Sequence, residues 1–393
     1  MADLRRLSAL CGEVAVVGVG ETDYGTDYVR TRRGEKPYDS YGYAALALNR
    51  ALADAGLTKD DLDGLIVGGP IAYERMAEIA GIEPGWSGSG DAPTSVTQAV
   101  MAITAGFAET VAIVYGNDQR TAGTAYGGPQ AMGGEAILSY VYFAPWGMTS
   151  QGALYAMMTR RYMEVHGLEP HELGQVAVAQ RAFAALNPNA VMRSPIDIDD
   201  YLGARYIAEP LRLYDYCLIN DGGVAMILTT RDRARRGPNP LVTVAGLGRA
   251  DENIGATTLR PRLVTFYHEG HAKVREQVYG TAGIGPGEVD VLGVYDSFSC
   301  HVPYALEGMG FCEIGDAGKF LVEKGVGPGG AIPTNTSGGH LSESYMQGWN
   351  HQPELVRQAR GTAGERQVPD VRHTQFVSDV AGNVISVVYR SER

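Results

Sequence analysis

Apolar runs with the period of a strand alternate with apolar stripes at helical spacing along the N-terminal part of this chain. Residues 13–20 (EVAVVGVG) are almost continuously apolar and end in glycine, as a strand buried on both faces does. Across residues 41–55 the apolar positions recur at the helical period, and Gly56 follows where a left-handed cap closes a helix. Residues 62–69 predict a second strand, residues near 94–106 a second helix, and residues 111–116 a third strand. Strands in turn with helices imply a mostly parallel sheet covered by helices, the α/β class.

The pattern then returns. AGLTKDDLDGLIV, starting at Ala55, matches AGIGPGEVDVLGV, starting at Ala282, at an offset of 227. Gly18 and Gly20 of VGVG match Gly246 and Gly248 of AGLG at an offset of 228. Two separate segments that share nearly one offset predict a duplicated α/β unit, with halves of residues 1–240 and 241–393. Residues 121–209, rich in Gly, Tyr and Met, read as a subdomain inserted in the first half, with a helix at Gln151–His166. That insertion suits either a wall for a large apolar ligand or an oligomer interface.

Composition narrows the function. The chain has 393 residues, 45% hydrophobic and 20% charged, which is a globular balance with room for a core. No run of eighteen apolar residues occurs, so no membrane-spanning helix is expected, and the N-terminal segment has no signal-peptide pattern. Four scattered cysteines with no CxxC pair fit a reducing cytoplasm. A net charge of −12 argues against nucleic acid as a partner. VGVGETDYG lacks the third glycine of a dinucleotide fingerprint, and no cluster with metal-ligand spacing is visible, so neither a nicotinamide nor a bound metal is expected.

The duplicated unit with a long insertion in its first half resembles the plan of the thiolase superfamily, a five-layered α-β-α-β-α fold. YDYCLINDGGVA, from Tyr214, resembles the family's stretch before the last strand of the first half. AITAGFAETVAIVYG, from Ala102, resembles its helix and strand after the nucleophile. VDVLGVYDSFS, from Val289, sits where thiolases carry Asn-Glu-Ala-Phe or, in the sterol-carrier-type branch, His-Asp-x-Phe. PTNTSGGHLSESYMQG, from Pro333, sits where they carry a double glycine and then Gly-His-Pro, and residues 374–390 where they carry Cys-x-Gly.

Both cysteines of that chemistry are missing. The nucleophile's place falls within residues 87–91, near Ser89, and the second cysteine's near Ser378 or Asp379. Alignment on Gly338 and Gly339 puts Tyr345 at the histidine of Gly-His-Pro, and alignment on Asp296 and Phe298 puts Tyr295 at the head of the second motif. A serine without a base is a weak nucleophile, and Ser89 has no adjacent histidine, so an acyl-enzyme is disfavoured. Phenols can still hold an enolate oxygen, each donor being worth about 3–4 kcal/mol, and can move protons.

Retro-aldol cleavage of a β-hydroxyacyl-CoA needs only those parts, and the sequence resembles the lipid-transfer-protein-type steroid side-chain aldolases. The resemblance implies a steroid acyl-CoA substrate, a 17-ketosteroid and propionyl-CoA as products, and Tyr295 and Tyr345 as catalytic residues. It also implies a homodimer and a small zinc-ribbon/OB-fold partner, and leaves open whether that partner is part of the preceding hydratase. Zinc would sit only in the partner, and CoA would enter as part of the substrate, with no tightly bound cofactor. Asp296, beside Tyr295, and His340, five residues before Tyr345, are supporting candidates. Two other readings stay open: a non-catalytic thiolase-like protein that binds acyl-CoA or lipid, and an acyltransferase with Ser89 or Cys300 as an atypical nucleophile. Two retained hydrogen-bond donors favour the enzyme over a decayed scaffold.

Overall fold

Among the described residues of the computed structural model (4–124, 146, 150–251, 265–380 and 382–392), nine strands form one sheet. They are β1 (Val14–Glu21), β2 (Gly64–Gly68), β3 (Trp86–Ser89), β4 (Thr110–Asn117) and β5 (Gly222–Thr230), then β6 (Val242–Asp251), β7 (Val291–Val294), β8 (His373–Val380) and β9 (Asn383–Ser391). Their order is β3-β2-β4-β5-β1-β6-β9-β8-β7. Outward from the junction of β1 with β6, the two arms follow one plan. β1 and β6 pair antiparallel with β5 and β9, these pair antiparallel with β4 and β8, and these in turn pair parallel with β2 and β7.

The helix–strand alternation predicts a mostly parallel sheet, and here the structure differs. Antiparallel pairs outnumber parallel ones, because the chain direction depends on the connections. A tight turn joins β8 to β9, too short for the crossover that a parallel pair needs. β5 arrives after the long excursion that follows β4 and enters the sheet from the opposite end.

Helices α1 (Ser40–Ala55), α2 (Ala92–Thr104), α3 (Gln151–His166), α4 (Pro170–Leu186), α5 (His268–Ala282), α6 (His301–Gly308) and α7 (His351–Arg360) complete the frame. α1 covers the outer face of the first arm and α5 that of the second, while α2 and α7 lie between the arms. The layers therefore run α-β-α-β-α. In the middle layer, Val96 and Val100 of α2 share one buried cluster with Leu355 and Ala359 of α7. Truncating a side chain such as Leu355 there would cost about 2–5 kcal/mol.

The repeated glycines have a packing cause. A Cβ on Gly18 would lie 2.2 Å from the Ala51 carbonyl oxygen of α1, and one on Gly246 would lie 2.6 Å from that of Val278 in α5. Only glycine lets each helix backbone rest directly on its strand.

Of the predicted insertion, residues 125–145 and 147–149 lie outside the described residues. Its described helices α3 and α4 pack through Tyr155, Tyr162, Leu173 and Val176 onto the core that includes Val302 and Leu306 of α6. No helix among the described residues is long and apolar enough to cross a membrane.

Candidate active site

β7 delivers the chain to Tyr295, and a side chain fixes where it ends. Asn335 accepts a hydrogen bond from the Val294 N–H at 2.8 Å and donates one to the Val294 carbonyl at 3.0 Å, extending the ladder like a neighbouring strand. On the other side the Tyr295 N–H donates to the Val377 carbonyl at 2.8 Å. Tyr345 is held in a similar way. Its N–H donates to Asn220 Oδ1 at 2.8 Å, and Asn220 Nδ2 donates to Ser344 Oγ at 2.8 Å.

These supports bring the Tyr295 and Tyr345 hydroxyls to 3.0 Å from each other. Both rings line a cavity of about 450 Å³, together with Asp91, Tyr216, Ser297, Phe298 and Ser378. The first residues of α3, the start of α2 and the adjoining ends of β8 and β9 complete its walls. Burial pushes the Tyr295 phenol well above its ordinary value, and the hydrogen bond with Tyr345 only partly opposes this. Tyr295 is therefore a neutral hydrogen-bond donor.

Asp296 and His340 lie immediately behind the pair. The His340 ring stands edge-on to both tyrosine rings, 4.8 Å from that of Tyr295 and 4.9 Å from that of Tyr345. Its Nε2 accepts from the Gly348 N–H at 2.8 Å. Burial, then the nearby His351 and His301, keep its imidazole well below the usual value and hence neutral. Both Asp296 oxygens accept from the His340 N–H at 3.0 Å, and Oδ1 also meets His351 Nε2 at 2.9 Å. Asp296 thus ties together the loops that carry the two tyrosines.

Two glycines make room for this packing. Gly348, at φ 84°, would place a Cβ 2.9 Å from Tyr295 Cδ2, and Gly339, at φ 57°, would place one 2.4 Å from Asp296 Oδ2.

Sequence spacing did not reveal two further groups. Asp296, His340 and His351 bring possible ligand atoms within 4.8 Å of one another, although they stand on separate segments. Asp296 and His351 Nε2 already serve the hydrogen bonds just described, and His340 Nδ1 lies 3.3 Å from Asp296 Oδ1, so the set reads as a structural network. The second group is Ser297, His301 and Asp379. Ser297 Oγ lies 3.1 Å from His301 Nε2, and His301 Nδ1 lies 2.5 Å from Asp379 Oδ1. Its only trace in the sequence is the four-residue spacing of Ser297 and His301 across a helix start.

No thiolate serves the cavity. Cys217 lines it, but burial and then Asp296 push its thiol well up. Cys300 is fully buried away from the cavity, its thiol pushed up to about 12 by burial. Ser89 is exposed at the end of β3 and does not line the cavity. Neither atypical nucleophile considered for an acyltransferase is placed to act. The site offers two phenols, a hydroxyl backed by an imidazole, and space for a large apolar group.

Comparison with known proteins agrees with this geometry. Residues 262–388 match the family of thiolase C-terminal domain-like sequences. A steroid side-chain-cleaving aldolase of Thermomonospora curvata is 32% identical over 373 residues, covering 91% of this chain and 93% of that protein. The chain belongs to this aldolase family of the thiolase superfamily. As a member it is a carbon–carbon lyase. A 17-hydroxy-3-oxo-4-pregnene-20-carboxyl-CoA lyase of Mycobacterium tuberculosis is 34% identical over 374 residues, covering 90% of this chain and 93% of that one. A solved Ltp2-ChsH2(DUF35) aldolase superposes with a TM-score of 0.86 at 29% identity, covering 98% of this chain and 99% of that one.

Proposed function

We propose that this aldolase cleaves the side chain of a steroid β-hydroxyacyl-CoA by a retro-aldol reaction, releasing a 17-ketosteroid and propionyl-CoA. The observation that carries the reading is the pair of tyrosine hydroxyls 3.0 Å apart on the wall of a cavity that no thiolate serves. When the Cα–Cβ bond breaks, negative charge gathers on the thioester oxygen of the departing acyl-CoA. A neutral phenol aimed at that oxygen stabilises the enolate by about 3–4 kcal/mol without any covalent intermediate. Tyr295, held neutral by burial, suits that role. Tyr345, hydrogen-bonded to it, supplies the proton that converts the enolate into the acyl-CoA product.

Asp296 and His340 support this chemistry by fixing the two rings, and CoA enters only with the substrate. In the same reading the chain forms a homodimer and works with a small zinc-ribbon/OB-fold subunit, since a homologous aldolase carries a DUF35 partner in its name. The four free cysteines suit a cytoplasmic enzyme.

The test is product analysis. The purified chain, alone and with its partner subunit, is incubated with a steroid acyl-CoA bearing a tertiary β-hydroxyl. Formation of the ketone and propionyl-CoA in equal amounts supports the reading. Unchanged substrate in both incubations, or an acyl group found on the protein, overturns it.

A further inference from the structure

Retro-aldol cleavage begins with loss of the substrate's β-hydroxyl proton, and Tyr295 is poorly suited to take it. Its phenol lies well above its ordinary value, so it donates rather than accepts. Ser297, two residues further along, lines the same cavity and has the opposite character. Its Oγ meets His301 Nε2 at 3.1 Å, and His301 Nδ1 meets the buried carboxylate of Asp379 at 2.5 Å. The other Asp379 oxygen lies 3.2 Å from His271 Nε2. Burial opposes a charge on Asp379, but His301 and His271 more than offset it and keep the carboxyl below its usual range. The carboxylate holds a proton on His301 Nδ1 and leaves the Nε2 lone pair facing the Ser297 hydroxyl.

Three elements converge to make this array. Ser297 follows the end of β7, His301 opens α6, and Asp379 lies near the end of β8, where alternation turns Ser378 to the cavity and Asp379 away from it. The Tyr155 ring packs 4.7 Å from the His301 ring and fixes its plane.

We infer that Ser297, His301 and Asp379 are the proton-accepting arm of this site, resting on the aldolase reading above. Ser297 is the catalytic residue that meets the β-hydroxyl, His301 is the base behind it, and Asp379 is a positioning residue. Ser297 passes its hydroxyl proton to His301 Nε2 as it takes the proton of the β-hydroxyl. The oxygen's electron pair forms the ketone C=O, and the Cα–Cβ pair moves onto the thioester as the enolate. A tyrosine hydroxyl protonates Cα. After the ketone leaves, His301 releases its proton through Ser297 to solvent and the phenolate regains one, so no proton is gained or lost.

The experiment compares wild type, Ser297→Ala and Asp379→Asn for ketone formation across pH. Ser297→Ala removes a single hydroxyl, and kcat is expected to fall about 100-fold or more with KM little changed. Asp379→Asn removes the anion beside His301, so the acid limb of kcat moves to lower pH. The other titratable groups facing His301 are Tyr155, Tyr267 and Tyr295, with His271 and His340 beyond them. Asp215 is pushed up to about 6 by burial, but it bonds Ser299 and Tyr201 rather than Asp379. His271, which also faces Asp379, is separated by His271→Gln, which should leave the limb in place. A wild type that forms no ketone overturns the aldolase reading, and this inference with it. An acyl group that accumulates on Ser297 likewise overturns both, whereas if wild type cleaves and Ser297→Ala stays within a few-fold, this inference alone is overturned. An acid limb unmoved by Asp379→Asn also overturns it.

Discussion

Tyr295 and Tyr345 are separated by 50 positions in the chain, and their hydroxyls meet at 3.0 Å in the wall of one buried cavity. Two loops, each held by an asparagine that bonds to main chain, produce that meeting. The first prediction follows from it. Tyr295→Phe and Tyr345→Phe each remove a hydroxyl and keep the ring, so folding should be nearly unaffected. Turnover is expected to fall about 100-fold or more in each. KM should change little, because the CoA and the apolar skeleton dominate binding. Cys300→Ala should stay within a few-fold of wild type. Steady-state kinetics of the three variants decide the point, and active phenylalanine variants beside a dead alanine variant would invert the mechanism.

Gly348 is a second test, because it carries no side chain and meets the site through the Tyr295 ring and, by its N–H, His340. Its positive φ disfavours any side chain, and a Cβ would press on the Tyr295 ring at 2.9 Å. Gly348→Ala is expected to cost about 1–3 kcal/mol of stability, as overpacking does. It should also lower kcat by displacing the ring. Thermal denaturation and turnover, measured on the same preparation, should both move.

His340 makes stability depend on pH with a definite sign. In the folded protein its imidazole stays neutral well below the usual value, whereas in the unfolded chain it takes up a proton below about pH 6.5. The unfolded state then binds more protons, so stability falls as pH falls below that value. From this group alone the slope reaches up to about 1.4 kcal/mol per pH unit. Urea denaturation between pH 7 and pH 5 should show this loss, and His340→Gln should flatten it. Equal slopes in the two proteins would show that His340 does not carry the effect.

The proposed partner is testable without any variant. Co-expression with a small zinc-ribbon/OB-fold subunit should raise both the soluble yield and the turnover of this chain. Full activity from the purified chain with no second polypeptide, judged by intact mass and gel filtration, would exclude the requirement.

How much of this was legible in the sequence depended on whether the signal was local. The helix at Gln151–His166 is found with the bounds its pattern implies, and the glycines of β1 and β6 recur because each must lie under a helix. The helix Tyr73–Ala80 and the strand β3 were not anticipated. β3 is four residues long and lies at the edge of the sheet without an apolar alternation. Strand direction was misjudged because a helix–strand alternation does not record which strands a short turn joins. In the site, the tyrosines were visible through their place in recognisable motifs. Asn220, Asn335 and the array of Ser297, His301 and Asp379 act through contacts between distant segments, and no periodicity marks a polar side chain that binds a neighbour's backbone.

The Asn335 clamp has one more consequence. It grips the Val294 peptide rather than the residue that follows, so the end of β7 keeps its position whatever side chain stands at 295. Position 295 behaves as a socket whose occupant can be exchanged while the frame stays still. A scaffold of this kind can accept a different reacting group at that point without first relearning how to fold.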